Sequence, residues 1–558
     1  MSVKTEIVKL LENYADLLEF KGENPFKIRA FKFGANAIRQ IEGDIEDKVK
    51  EGSLKNVKGI GKGILSVIEE FISKGSCADY EELYNSIPEG VIELFKIRGL
   101  GVKKVKTLHE ELNINNIDDL AEAAVEDKVA GLSGFGMKTQ ENIVAEIARI
   151  KSSRGLIHYY RAIQIGKALL NELLKIQSVT QGEITGELRR GLEVVSSIDL
   201  LLCINDENDF IKTIEKSYTF TEADEGSHNC VVIDLDLPIH VKVYYVLNVS
   251  EFQSTLFYTT GSKDFLKEIH FVEEKFTTKS EAGIFRALDF PYIIPEMREH
   301  EMLNTSAELR KNSDLTLRDF SGLLHFHTTY SDGLNSLTEM GDAAAKLGFE
   351  YLAVCDHSKS AFYANGLEEE RILLQKKELA KLNKSTNIHY FQGIESDILN
   401  SGSLDYSSDF MQNFEFVVAS VHSGFNLSED DMTKRVITAI ENEYTDVLGH
   451  PTGRLLLSRN PYKINMKKII DACAQNDVAI EINSNPFRLD LDWRLIFYAR
   501  EKGCEFAINP DAHSVDGIKD VEYGITMGRK GGLQKSEVIN CLSTNDFVKF
   551  LNRKVKRI

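Results

Sequence analysis

Apolar positions along this chain follow two different periods. The opening stretch, MSVKTEIVKLLENYADLLEF, sets charged residues among apolar ones at helical spacing. Three later segments, NVKGIGKGILSVIEEFISKG, KIRGLGVKKVKTLHEEL and GLSGFGMKTQENIVAEI, each place Gly-apolar-Gly and a nearby lysine ahead of another helical period. After residue 320 the pattern changes to seven short apolar runs, LLHFH, YLAVC, HYFQGI, FVVASV, DVLGH, VAIEIN and EFAIN, with helix-length stretches between them. Short buried strands alternating with helices predict parallel βα units. In a barrel of such units, residues at the strand C-terminal ends share one mouth.

The polar residues at those strand ends are of one kind. They are His325, His327, Asp332, His357, Glu395, His422, His450, Asp511 and His513. Seven of the chain's 13 histidines lie after residue 320, and six of those seven belong to this set; His389 alone stands outside it. A single buried histidine is usually a hydrogen-bonded core residue. Nine such groups on one predicted rim point instead to a metal cluster. Imidazole with carboxylate suits manganese, zinc or iron, and nine ligands exceed what one ion needs, so two or three divalent ions are expected. Such clusters clamp phosphates and generate hydroxide at neutral pH, which makes this half a phosphoesterase. Arg454 and Arg488 are candidates for holding a phosphate, with a surface role as the alternative for each. Asn483 and Asn485 are expected at the mouth. Cys355 reads as a small apolar strand residue.

Composition narrows the classes. A chain of 558 residues is too long for one core. It has no apolar run of membrane-spanning length and no signal-peptide core at its start, and its seven cysteines form no CxxC pair. A reducing cytoplasm, no membrane partner and a monomer are expected. The net charge of -19 is awkward for a nucleic-acid protein, and residues 1–150 hold 21 Lys+Arg against 26 Asp+Glu. DNA contact would then rest on local patches and backbone amides. The triplets supply them: Gly59 and Gly61 with Lys62, Gly99 and Gly101 with Lys103, Gly134 and Gly136 with Lys138. Glycines permit the turn, and the helix that follows offers unpaired amides to a phosphate. Purely structural helix pairs are the alternative.

The segments ENPFKIRAFKFGANAIRQI, GELRRGLEVVSSIDLLL and FYTTGSK, with the hairpin repeats and the metal-rich tail, resemble bacterial family X DNA polymerases carrying a C-terminal PHP domain. The likeness runs over essentially the whole chain. It implies a multidomain α/β protein with three parts. Residues 1–150 would form an all-α helix-hairpin-helix DNA-binding region, and 151–320 an α+β nucleotidyltransferase palm and thumb. Residues 321–558 would form a distorted (β/α)7 PHP barrel holding three metals. It also implies gap-filling synthesis, together with manganese-dependent 3′-5′ exonuclease and 3′-end processing by the PHP domain. His325, His327, Glu395 and Asp511 would hold one ion. Glu395 would bridge to a second with His357 and His422, and Asp332, His450 and His513 would complete the cluster.

The palm departs from that pattern. Its family has a Gly-Ser-x-Arg-Arg turn and a Gly-Asp-x-Asp strand; here the turn is Gly186-Glu187-Leu188-Arg189-Arg190 and the strand Ser196-Ser197-Ile198-Asp199. Ser197 stands at the first aspartate, Asp199 remains, and Lys242 falls at the third. Magnesium needs hard anionic oxygen, and Glu187 would repel a triphosphate. The polymerase site therefore reads as inactive, with an Asp199–Lys242 ion pair expected in its place. Val67 stands where lyase-active relatives carry a Schiff-base lysine, and the Thr260-Gly261-Ser262-Lys263 element is read as structural. The leading reading is a DNA-binding, metal-dependent 3′-5′ exonuclease or 3′-end-processing enzyme of repair, acting on gapped or 3′-end DNA. The alternatives are an active polymerase, a non-catalytic DNA-binding scaffold and a small-molecule phosphatase.

Overall fold

The computed structural model describes every residue except 1–2, 42–44, 226–227, 273–275, 277, 304, 307–308 and 556–558. The chain forms two compact units, Met1–Arg154 and Gly155–Ile558. The expected boundary at 150 falls inside a helix, and the chain leaves the first unit at Arg154, next to Gly155 with φ 71°.

The first unit is helical. Helices α1 (Val3–Lys21) and α2 (Pro25–Gln40) pack Leu11, Leu18 and Ile38 into one core with Ile64 and Ile68 of α3 (Lys62–Lys74). Helices α4 (Val102–Leu112) and α5 (Met137–Ser153) share a second core through Val105, Leu108, Ile143 and Ile147. The three glycine triplets are one turn built three times. The amides of Ile60, Leu100 and Phe135 each donate to the carbonyl three residues back at 3.1 Å. The first glycines, Gly59, Gly99 and Gly134, take φ of 101°, 83° and 83°, where a side chain would be strained. Gly61, Gly101 and Gly136 then sit at the N-caps of α3, α4 and α5 with no side chain covering the first amides.

The second unit holds a five-stranded sheet and a barrel. Strands β1 (Val179–Thr185), β2 (Ser197–Ile204), β3 (Thr219–Glu225), β4 (His228–Asp234) and β5 (His240–Val246) lie in the order β1-β2-β5-β4-β3. Helix α6 (Val249–Thr260) packs on this sheet.

The barrel strands are β6 (Gly322–Leu323), β7 (Tyr351–Val354), β8 (His389–Asp397), β9 (Phe416–Ser420), β10 (Val447–Leu448), β11 (Ala479–Asn483) and β12 (Phe506–Asn509), parallel and in sequential order. The main crossover helices are α7 (Leu337–Lys346), α8 (Glu369–Ser385), α9 (Glu429–Ile440), α10 (Met466–Gln475) and α11 (Trp493–Glu501). Helix α12 (Val521–Lys530) follows β12. A bridge between Phe326 and Ala512 joins the first and last strand ends, so the sheet nearly closes. All seven apolar runs read from the sequence contain strand residues.

Alternate residues split between two cores, as the two-residue strand period requires. Leu352, Val354, Val417, Ile480 and Ile508 face the helices, whereas Tyr351, Ala353, Phe391, Phe416, Val418 and Ala507 fill the interior. Helix α13 (Thr544–Leu551) closes that interior from the strand N-terminal ends. Its Phe547 stacks on Tyr351 at 4.7 Å and meets Phe391 at 5.2 Å.

The five-stranded sheet and the barrel are fastened together. Lys530 of α12 is wholly buried and donates to the Arg190 carbonyl at 3.1 Å and to Glu299 Oε1 at 2.9 Å, and Arg190 Nε donates to the same oxygen at 2.8 Å. Trp493 Nε1 donates to Glu193 at 3.1 Å. Among the described residues no helix is long and apolar enough to cross a membrane.

Replacing Phe547 with Ala is expected to cost about 3–5 kcal/mol, read as a fall in the denaturation midpoint. A loss below about 1 kcal/mol would mean that α13 does not close the barrel interior.

Candidate metal centre

The barrel brings all nine predicted side chains to one end. Glu395 lies within β8; His325 and His327 follow β6, His357 follows β7, His422 follows β9, His450 follows β10, and Asp511 and His513 follow β12. His450 and Asp511 take φ of 25° and 51°, a conformation that costs a non-glycine residue about 1–3 kcal/mol and persists where surroundings over-determine it. The loop carrying Asp332 is held by the wholly buried Asp356, which accepts from Thr328 N at 2.8 Å, Thr328 Oγ1 at 2.7 Å and Gln375 Nε2 at 2.6 Å. A Cβ on Gly333 would lie 2.6 Å from the His327 carbonyl, so the loop can close over the histidine only with glycine there.

Two further carboxylates, not singled out from sequence, fix the direction of the ligand lone pairs. Glu481 in β11 accepts from Asn509 Nδ2 at 3.0 Å and from the His450 amide at 2.7 Å, and it lies 2.6 Å from His325 Nδ1. Ionised carboxylate oxygens only accept, so His325 Nδ1 carries the proton and Nε2 presents a lone pair. Asp397 does the same for His422 Nδ1, leaving Nε2 facing Glu395 Oε1 at 3.2 Å. That contact calls for positive charge between the two atoms, either a proton on Nε2 or a metal cation in its place. Carboxylate–histidine pairs of this kind orient metal ligands.

The donor atoms fall into three sets, each within 4.8 Å: His327, Asp332, His357 and His513; His325, His327 and Asp511; His357, Glu395 and His422. A neutral imidazole has one lone pair, so His327 and His357 each serve one of the two sets they could join. His450 falls in none of the three, yet its Nε2 lies 2.9 Å from Glu395 Oε1. His357 Nδ1 and Glu395 Oε2 are 2.8 Å apart without the alignment of a hydrogen bond. His325 Nε2, His327 Nδ1 and His450 Nδ1 are likewise buried with no hydrogen-bond partner. Buried polar atoms without partners are costly, and their convergence fits divalent ions.

Ionisation tells the same story. Burial opposes charge on His422, yet Glu395 and Asp397 push its pKa up to about 10. Burial alone would raise Asp511, but His325 and His327 hold it well below the carboxylate range. Burial and the neighbouring His513 and His357 push His327 down to about 3. Two buried carboxylates thus stay ionised and demand positive charge among the imidazoles.

The two arginines part company. Arg454 is buried, and its guanidinium is engaged by the Arg488 and Leu489 carbonyls and by Asp492 Oδ2 at 2.6 Å, so it braces the loop after β11 and is not available as a phosphate clamp. Arg488 stands with Nε 3.9 Å from Asp511 Oδ2, beside the cluster. Asn483 lies deeper than the mouth, donating to Asp511 at 3.1 Å, while Asn485 caps the turn through Phe487 N at 3.0 Å. Cys355 is wholly buried, and that burial pushes its thiol well up, which fits an inert packing residue.

In the five-stranded sheet, Asp199 is buried and accepts from Ser197 Oγ at 2.9 Å, and its other oxygen has no hydrogen bond. Lys242 is its register partner on β5, but no ion pair joins them; the expected pairing is corrected. Burial pushes Asp199 up to about 6, with the Lys242 charge acting against that rise only as a neighbour. A Cβ on Gly186 would lie 2.0 Å from Asp199 Oδ2, which closes the turn onto the carboxyl. Glu187 accepts from Ser196 N at 2.6 Å, and Arg189 is paired with Glu281 at 2.8 Å. Ser262 caps the helix after the Thr260–Lys263 element, and Val67 is buried in the first unit's core.

In the first unit, Lys62, Lys103 and Lys138 are exposed, and a Cβ at Gly61, Gly99, Gly101, Gly134 or Gly136 would meet nothing. A cavity of about 1240 Å³ adjoins the first turn, lined by Lys27, Phe33, Lys58, Gly59 and Gly61.

Family models agree with this layout: a helix-hairpin-helix domain matches residues 3–77, a SAM-like helix-hairpin-helix tandem 91–149, and a PHP domain 324–485. A probable phosphatase of Thermoanaerobacter sp. (strain X514) is 25% identical over 251 residues, covering 42% of this chain and 95% of its own. Another probable phosphatase, of Vibrio parahaemolyticus, is 26% identical over 241 residues, 41% of this chain and 91% of its own. The DNA polymerase/3'-5' exonuclease PolX of Bacillus subtilis (strain 168) is 33% identical over 574 aligned residues, 99% of either chain. Aligned end to end with that relative, and carrying its helix-hairpin-helix and PHP parts in order, the chain belongs to the bacterial PolX family.

Proposed function

We propose that this PolX-family enzyme hydrolyses DNA from the 3′ end in its barrel, as a manganese-dependent exonuclease or 3′-end processor of repair, and that its palm does not polymerise. The observation that carries the reading is the convergence of buried, unpartnered imidazole and carboxylate atoms at the barrel mouth. Its relatives' names support it: one is called a DNA polymerase and 3'-5' exonuclease, and those matching about two fifths of the chain are called probable phosphatases. Bound divalent ions would supply Lewis acidity and water of lowered pKa. Hydrolysis forms one P–O bond from water and breaks the P–O3′ bond, the leaving oxygen taking up a proton. Glu481 and Asp397 hold His325 and His422 in their ligating tautomers, and Arg488 is placed to hold a phosphate oxygen.

Three features support an inactive palm. Ser197 offers a neutral hydroxyl, Asp199 is turned onto it, and Glu187 occupies the Ser196 amide. Two-metal phosphoryl transfer needs carboxylates that hold both ions. For the helical unit we propose the role of DNA holder: three bare amide turns beside exposed lysines suit phosphates at any sequence. Gapped DNA is a fitting ligand, a boundary near residue 320 separates palm from barrel, and the protein acts as a monomer.

Purified protein with Mn²⁺ is expected to shorten 3′-paired, 5′-labelled DNA and to extend no primer. Asp511→Asn abolishes the shortening, and Glu481→Gln weakens metal binding about 10- to 100-fold in a metal titration. Undiminished digestion by Asp511→Asn, or primer extension by wild type, sinks the reading.

Lys62→Ala, Lys103→Ala and Lys138→Ala combined should weaken DNA binding equally for unrelated sequences. The combined change should also flatten the logarithmic salt dependence by roughly 2–3, about 0.9 per lost duplex phosphate contact. An unchanged slope would leave the hairpins structural.

Asp199 gives a pH test of the palm. Its pKa is near 3.8 unfolded and about 6 folded, so between those values the folded state holds more protons. Stability therefore falls as pH rises through that window, by up to about 3 kcal/mol. Asp199→Asn should remove this fall in denaturation curves taken at pH 4 and pH 7; an unchanged curve would place the carboxyl in contact with water.

A further inference from the structure

Two large aromatic side chains stand in the open beside the cluster. Phe362 is 86% and Tyr363 71% exposed, in a short turn five and six residues after His357. The turn itself is rigid. Ala361 and Ala364 are buried on either side of the pair. Ser360 N donates to Asp405 at 2.7 Å, Leu367 N to the His357 carbonyl at 2.8 Å, and Asn365 Nδ2 to the Ser331 carbonyl at 3.1 Å. Asn365 takes φ 53°, and a Cβ on Gly366 would lie 2.0 Å from the Ser358 carbonyl oxygen. A turn fastened at both ends thus holds two apolar rings in water, which the hydrophobic effect disfavours unless something covers them.

What covers them is limited by what they face. Phe362 and Tyr363 wall a cavity of about 270 Å³ whose other sides include Asp397, Asn400 and His422. That is below the roughly 300–1,000 Å³ of pockets enclosing a drug-sized ligand, so it admits one ring system. No lysine or arginine lines it, and Asp397 is acidic, so a phosphate is disfavoured there. The Tyr363 ring lies 6.3 Å from His357, within a nucleotide's reach of the cluster. Arg488 approaches the cluster from the β11 side, next to Asp511.

Resting on the phosphoesterase reading, the geometry points to Phe362 and Tyr363 as a stacking platform for the terminal nucleobase of the DNA end being cut. The base lies against the rings in the His422–Asn400 cavity, while its phosphate lies over the ligands beside Arg488. A base held there cannot also be paired in a duplex, so the platform selects unpaired ends or frays paired ones, and it is indifferent to which base it receives.

The test compares wild type with Phe362→Ala/Tyr363→Ala and with Phe362→Trp/Tyr363→Trp, on single-stranded ends carrying either a normal or an abasic 3′-terminal residue, with Mn²⁺. Metal content of each variant is measured alongside. Wild type should cut base-bearing ends roughly 5- to 100-fold faster in kcat/KM than abasic ends. The alanine variant should fall to the abasic rate on both while keeping its metal, and the tryptophan variant should retain the preference. Equal rates for the alanine variant and wild type on base-bearing ends, with hydrolysis intact, overturn the platform and leave the phosphoesterase standing. A wild type that cuts neither end while fully metal-loaded overturns the reading beneath it as well.

Discussion

A buried negative charge must be compensated, and at the barrel mouth this requirement organises everything near it. Glu395 and Asp511 stay ionised in the interior and are ringed by imidazole nitrogens at 2.9 to 3.7 Å. The arrangement holds together only with positive charge inside it, carried by protonated imidazoles or by metal ions. The desolvation cost of an isolated carboxylate is large enough that protein sites answer it by pairing, by metal coordination or by protonation. Glu481 and Asp397 rule out relief by simply turning the rings, since each fixes the far nitrogen of its histidine. The left-handed backbone at His450 and Asp511 belongs to the same constraint: the ligands are held where the ions need them, not where the backbone prefers.

The palm answers the same requirement in the opposite way. There Asp199 is buried, is hydrogen-bonded to Ser197, and has its pKa raised towards neutrality. Its two arginines are bound up in carboxylate pairs with Glu281 and Glu299, and the turn that carries them is fastened to α12 by Lys530 and to Trp493 by Glu193. Removing one member of such a buried pair leaves the other uncompensated, typically at several kcal/mol. The turn has become a structural joint, which accounts for the sheet and barrel forming one compact unit rather than two.

The barrel and its ligands were legible because two periods coincide. A strand buries alternate residues, and a barrel gathers its strand C-terminal ends, so a polar residue following an apolar run has an assigned place. His325, His357, His422 and Asp511 could be read on that basis alone. Glu481, inside an apolar run, and Asp397, three residues past one, could not; their role depends on pairing with residues 156 and 25 positions away. Arg454 misled for a related reason. An arginine after a strand end looks available, and only the fold shows carbonyls of the loop at 488–489 within its reach. Asp199 and Lys242 are register partners, yet the lysine acts on the carboxyl as a neighbouring charge without a close ion pair.

Net charge needs a different argument from local chemistry. The charge of -19 gives no long-range attraction for DNA, and beyond a Debye length, about 8 Å at physiological salt, its repulsion is largely screened. Within that distance, only the groups facing the backbone matter. The hairpin turns present amides with no side chain over them, and the lysines that follow are exposed, so the attraction is short-ranged and directional. At the barrel the strongest positive charges would be the ions themselves, placed among residues that are otherwise acidic or neutral. A protein built this way gains little from long-range steering and much from contact. On the proposed reading such a protein would hold a DNA end that reaches the cluster and have weak attraction for an uninterrupted duplex some distance away.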